Sequence, residues 1–176
     1  MNSAVLTRRV RFWLILFVIG LVLSGVTAFP LELETRWLLS LARHESSPVP
    51  EHLPTLYGWL ERVHEGIRET NDRYPFMAYG TDWLAFAHLT IAVAFWGPIK
   101  DPVRNEWVVR FGMISCVGVI PLALIAGPIR DIPFYWQLID MSFGVFGVIP
   151  LAIAYRYIRQ LERQTEPVAA AAAGHP

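Results

Sequence analysis

Four apolar stretches, Phe12 to Phe29, Trp83 to Ile99, Trp107 to Ile129 and Ile132 to Tyr155, constrain this chain more than any other feature. A helix rises about 1.5 Å per residue, so roughly 20 apolar residues cross the hydrocarbon of a bilayer. The expected fold is an all-α membrane protein. It is a four-transmembrane-helix bundle, one domain over 12–164, with spans at 12–29, 83–99, 107–129 and 132–155 and a loop over 30–81. Residues 1–11 form a basic N-terminus. The alanine-rich tail over 165–176 has nothing to pack against and is expected to be disordered.

With 54% apolar and 17% charged residues, a soluble domain of this size lacks the polar surface to cover itself. A net charge of zero leaves no clustered basic surface for phosphates, which argues against nucleic acid as a partner. Cys116 is the only cysteine, so an intrachain disulfide, a thiolate cluster and a CxxC redox pair are all excluded. Its place in the third run marks it as a small buried hydrophobe.

Lys and Arg set orientation, because loops rich in them stay on the cytoplasmic side. Arg8, Arg9 and Arg11 precede the first run, Lys100 and Arg104 separate the second from the third, and Arg156, Arg159 and Arg163 follow the fourth. Both termini are therefore expected inside and the 30–81 loop outside, where its arginines are matched by acids. The first run also resembles a signal peptide, with Val26-Thr27-Ala28 as a cleavage-like site. Its length exceeds a typical apolar core of such a signal, so an anchor is expected.

The outer loop has its own pattern. Leu56, Trp59, Leu60, Val63 and Ile67 recur at helical spacing, with Glu61, Arg62, Glu65, Arg68 and Glu69 on the other face, which predicts an amphipathic helix. Pro54 suits its first turn, and Asn71 or Pro75 ends it. A shorter helix is expected from Glu34 to His44. Either can lie on the outer leaflet or roof the bundle.

Within the runs, Asp140, Gly144, Gly147 and Leu151 share one stripe, as do Thr81, Ala85, His88 and Ala92. Helices in lipid associate through small residues, so these faces are expected to point inward, with Gly20 and Ser24 on the first run and Ala123 and Gly127 on the third as similar contacts. Pro121 and Pro150 each free a carbonyl one turn back, which predicts kinks.

His88 and Asp140 carry most of the chemistry. A charge in the hydrocarbon costs about 2.5–3.5 kcal/mol on the insertion scale, so each is expected paired or neutral. Both lie roughly 10 Å from the outer boundary at helical rise, on spans running in the same direction, and so can form a polar intramembrane core. Asp82, Arg130 and Asp131 are expected as an outer-rim cluster, with His64 and Glu65 on a possible lid. The plainer reading is that His88 and Asp140 fix helix register through hydrogen bonds. Arg110 lies one turn from the inner boundary, where its side chain can reach the headgroups.

Other chemistries find little support. A haem between two histidines needs two within the spans, and only His88 lies there. His44, His52, His64, His88, Asp82 and Asp140 are the pool for an outward metal hydrolase, yet no His-Glu-x-x-His spacing presents two ligands on one face. There is no phosphate loop, nucleophile elbow or kinase signature. No metal or cofactor is assigned.

At GLVLSGVTAFPLE (20–32), AYGTDWLAFAH (78–88), DPVRNEWV (101–108) and GPIRDIPFYWQLIDMSFGVFGVIP (127–150) the chain resembles uncharacterised bacterial four-pass inner-membrane proteins. The resemblance implies a bacterial inner membrane and four spans, and transfers no activity. The expected function is an accessory or assembly subunit, with the lipid bilayer and a larger membrane protein or further copies of itself as partners. A proton-coupled transporter or channel using His88 and Asp140 is the alternative, and a membrane-embedded metal-dependent hydrolase the third reading.

Overall fold

A computed structural model describes residues 2–44 and 47–173, with side chains described as far as Gln164. Among the described residues all regular structure is helical: α1 (Ser3–Ala28), α2 (Leu31–Ala42), α3 (Val49–His52), α4 (Pro54–Arg73), a 3-10 turn (Pro75–Ala78), α5 (Tyr79–Ala94), α6 (Trp96–Lys100), α7 (Glu106–Ile129) and α8 (Phe134–Ala173). Four helical stretches, Ser3–Ala28, Pro75–Lys100, Glu106–Ile129 and Phe134–Gln164, are long and apolar enough to cross a membrane. The tail assigned to disorder lies outside the described residues from 174, and outside the described side chains from 165.

Three prolines stand at helix starts, where a missing amide donor does least harm, whereas Pro121 and Pro128 lie inside α7 and Pro150 inside α8. Pro54 opens α4 and Pro75 opens the 3-10 turn, while Pro133 immediately precedes α8. The helices outrun the apolar stretches. Hydropathy marks only what suits lipid, and the backbone ladder of α1 continues back through Arg11, Arg9 and Arg8 to Ser3. In the same way α8 passes Tyr155, where Ile158 and Leu161 extend a buried stripe begun by Leu151 and Ala154. The second span starts at Pro75 because the 3-10 turn, α5 and α6 follow one another with no long break.

The chain forms two compact units, one of residues 1–20 and 91–176, the other of residues 21–90. In the first, Leu6, Val10 and Leu14 recur every four residues on α1 and are fully buried, as are Phe95, Val109, Leu151, Ala154 and Ile158. Phe17 stacks on Phe95 with ring centroids 4.8 Å apart. The main helix pair is α7 with α8. Its seam is made of glycine. A Cβ at Gly144 would strike the Cys116 carbonyl, one at Gly147 would lie 2.9 Å from Cys116 Sγ, and one at Gly112 would lie 2.7 Å from Phe95 and 2.9 Å from Leu151. At Gly144 the missing Cβ lets the two backbones come close, and at Gly112 and Gly147 it makes room for side chains of the neighbouring elements, which favours dispersion between helices that lipid does not drive together.

The α7–α8 turn is a Schellman motif, in which Ile132 N–H donates to Gly127 O at 2.9 Å and Asp131 N–H to Pro128 O at 3.3 Å. Asp131 takes the left-handed position at φ 54°, usually held by glycine and tolerated by Asp. The buried Gln137 side chain lies against Gly127, where a Cβ would collide with it, and its Nε2 donates to Ile132 O at 2.8 Å.

In the second unit α2 and α4 run antiparallel, since Glu32 pairs with Asn71, Thr35 with His64 and Arg43 with Glu61. Gly25 of α1 packs on α5, where a Cβ would sit 3.1 Å from Ala85 O and from His88 Cβ. This corrects the expectation for α1: a Cβ at Gly20 would meet nothing and Ser24 is exposed, so the small-residue contact falls at Gly25.

Gly144→Ala is expected to destabilise the chain by about 1–3 kcal/mol through overpacking. Gly118→Ala, on the same helix pair but with open space around its Cβ, is expected to be neutral or to stabilise by up to about 1 kcal/mol from helix propensity. Thermal unfolding in one detergent compares them, and equal midpoints would contradict the seam.

Candidate functional site: polar groups in and beside the spans

Four hydroxyls in the apolar helices satisfy themselves. Thr27 donates to Leu23 O at 3.0 Å, Thr90 to Phe86 O at 2.9 Å, Ser115 to Phe111 O at 2.9 Å and Ser142 to Ile139 O at 2.6 Å. A short side chain can reach the carbonyl three or four residues back, which removes the cost of a bare donor in lipid.

His88, half-buried on α5 in the second unit, behaves similarly, with Nδ1 2.8 Å from Leu84 O. A carbonyl only accepts, so Nδ1 carries the proton, and in the neutral ring Nε2 is left as a lone-pair acceptor. Gly25 packs against its Cβ and fixes the ring's base. Asp140 lies in the first unit, half-buried on α8 one turn before Gly144. Among the described residues of that unit its carboxylate has no hydrogen-bond donor and no ion-pair partner. Asp140 thus differs from every hydroxyl named above.

The expected rim residues divide between the units. Asp82 sits in the first turn of α5, where the helix dipole favours an acid. Arg130 and Asp131 are the cap of α7, and their backbone geometry accounts for their place in the chain. His64 and Glu65 do separate work on α4. His64 Nδ1 lies 3.0 Å from the buried Thr35 hydroxyl on α2, whereas Glu65 accepts from Arg68 at 2.7 Å on the exposed side.

The densest polar network was not singled out in the sequence. At one end of the first unit Arg9 lies over the Tyr157 ring, 5.6 Å from its centroid, which ties the start of α1 to α8. Arg11 Nε donates to Ile99 O at 2.9 Å, capping the end of α6. Asn105, packed on Gly97, donates to Asp101 O at 2.9 Å and to Gly97 O at 3.3 Å, and so closes the turn into α7. Glu106 is the hub. Its side chain is 16% exposed, accepts from Arg110 at 2.9 Å and lies 3.9 Å from Arg159 of α8. Arg110, expected to reach for headgroups, folds one turn back to Glu106 and covers the Tyr155 ring at 5.4 Å. The signal was present as Glu106 and Arg110 at i,i+4 spacing; what spacing did not reveal was Arg159.

No group of three His, Cys, Asp or Glu side chains among the described residues comes together as a metal-ligand set. Comparisons with protein-family models, curated proteins and solved structures found no match to this chain.

Outside the spans, Glu61 has the clearest electrostatics. Tyr57 O–H donates to it at 2.7 Å and Arg43 at 2.8 Å, and these two hydrogen bonds hold its carboxyl below the usual range. Arg68 does the same for Glu65. A depressed folded pKa contributes stability that is fully present above the unfolded carboxylate value of about 4.3 and is lost as pH falls through the folded value. Acidifying from pH 7 to below 4 is thus expected to loosen the α2–α4 pair in the wild type and to have less effect in Glu61→Gln. Limited proteolysis within 43–53 at both pH values checks this, and identical acid sensitivity in the two proteins would remove Glu61 from the account.

Proposed function

We propose that the chain is a four-span protein of a bacterial inner membrane, with both termini cytoplasmic, that works as an accessory or assembly subunit by helix contact with a larger membrane protein. The observation that carries this reading is Asp140. An acid in a span, with no donor in its own unit while Ser115 and Ser142 of that unit bond to their own helices, is matched most cheaply by a basic or hydroxyl group on another chain. The orientation draws support from Arg9 and Arg11, which tie the start of α1 to α8 and to the end of α6, and from Arg110 and Arg159, which share Glu106 at the start of α7. The resemblance in sequence supports the bacterial inner membrane.

One observation favours the second reading, a proton-coupled transporter or channel: an imidazole, His88, stands within a span and is held in place by the contact of Nδ1 with Leu84 O. One variant separates the two. If Asp140 meets a partner chain, a stoichiometric membrane protein co-purifies in mild detergent and Asp140→Asn loses at least tenfold of it, the equivalent of about 1.4 kcal/mol. If Asp140 carries protons, the wild type purifies as a clean homomer, and Asp140→Asn abolishes a pH-gradient-driven flux in proteoliposomes. A homomer with no such flux would contradict both.

A further inference from the structure

Helix α2 has two faces of opposite fate. Thr35, Leu39 and Ala42 are buried, with Thr35 bonded to His64 of α4, whereas Leu33, Trp37 and Leu41 recur every four residues and are 49%, 67% and 61% exposed. Leu38 adjoins the exposed stripe. Glu32, Arg36, Ser40 and Arg43 run along one edge of the stripe as a polar band, and Glu34 lies at its other edge between Leu41 and Leu38.

Chain continuity says what covers the apolar stripe. Helix α1, long and apolar enough to span, ends at Ala28, and only Phe29 and Pro30 separate it from Leu31 of α2. Ala28 and Leu31 are three Cα steps apart, about 11 Å if extended, and the turn formed by Phe29 and Pro30 makes the separation shorter than that. The headgroup layer on each side of the roughly 30 Å hydrocarbon is of similar thickness, so α2 starts inside it. A helix lying in that layer sinks its apolar face about 5–10 Å toward the acyl boundary, with tryptophan favoured at this depth. Tyr79 and Trp83, exposed at the start of α5 in the same unit, are aromatics of the kind that mark this level. The polar band carries both signs, Glu32 lying 3.5 Å from Arg36, which suits zwitterionic headgroups better than an anionic surface.

We infer that α2 is an interfacial anchor, its Leu33–Trp37–Leu41 stripe inserted into the zwitterionic headgroup layer of the leaflet where α1 ends, with α4 held above it by the His64, Asn71 and Glu61 contacts. The inference rests on α1 being a span and is independent of the accessory reading. The full chain, in a Cys116→Ala background, is spin-labelled at Trp37→Cys, Leu41→Cys, Arg36→Cys or Ser40→Cys, with Ile19→Cys in α1 as control. It is then reconstituted in phosphatidylcholine vesicles. Collision with oxygen is compared with collision with a water-soluble nickel chelate. Labels at 37 and 41 are expected to favour oxygen, as at 19, and labels at 36 and 40 to favour nickel. Labels at 37 and 41 that favour nickel, or that are shielded from both reagents as under a protein, overturn the anchor while leaving the span intact. A label at 19 that favours nickel overturns the span and the anchor together.

Discussion

Lipid offers no hydrogen bonds, and the rest of this structure follows from that constraint. Backbone amides in the apolar runs are paired inside continuous helices, and the hydroxyls of Thr27, Thr90, Ser115 and Ser142 bond to carbonyls of their own helices. Polar side chains that cannot reach their own backbone gather instead at helix ends. Glu106, Arg110 and Arg159 are joined there, and Arg11 caps α6. Asp140 is the departure from the pattern, and for that reason it leads the functional reading.

The same constraint governs packing. Helices already surrounded by apolar solvent gain little from burying leucine, so association relies on close backbones. Gly144 supplies this between α7 and α8 and Gly25 between α1 and α5, while Gly112 and Gly147 make room for the side chains of Phe95, Leu151 and Cys116. Bulky residues such as Phe143, Phe146, Leu122 and Ile125 are left on the outside. In the α2–α4 pair, which lies beyond the apolar runs, side-chain hydrogen bonds replace glycine as the fastening.

The four apolar runs, the helix opened by Pro54 and the glycine stripe of α8 were legible in the sequence, because length, proline and period-four spacing each report a local property. What spacing cannot report is which neighbour a stripe meets. Gly20 and Gly25 are equally small, and only the position of Ala85 decides that Gly25 is the contact. Cys116 read as a small hydrophobe, but its carbonyl and sulfur are the surface on which Gly144 and Gly147 rest. Asp131 read as a rim charge, since nothing in Arg-Asp-Ile-Pro announces a left-handed cap without glycine. His88 and Asp140 were found by the cost of polarity in lipid; they fall in different units, and each is understood here from its own surroundings.

Lipid, rather than the chain itself, is what covers the apolar faces of α1, α7 and α8. Hydrogen–deuterium exchange of the full chain in lipid nanodiscs tests this most directly. Amides across the middle of α1, α7 and α8 are expected to exchange far more slowly than those of α4, although little of the span surface is buried by protein. Exchange in α7 as fast as in α4 would contradict it.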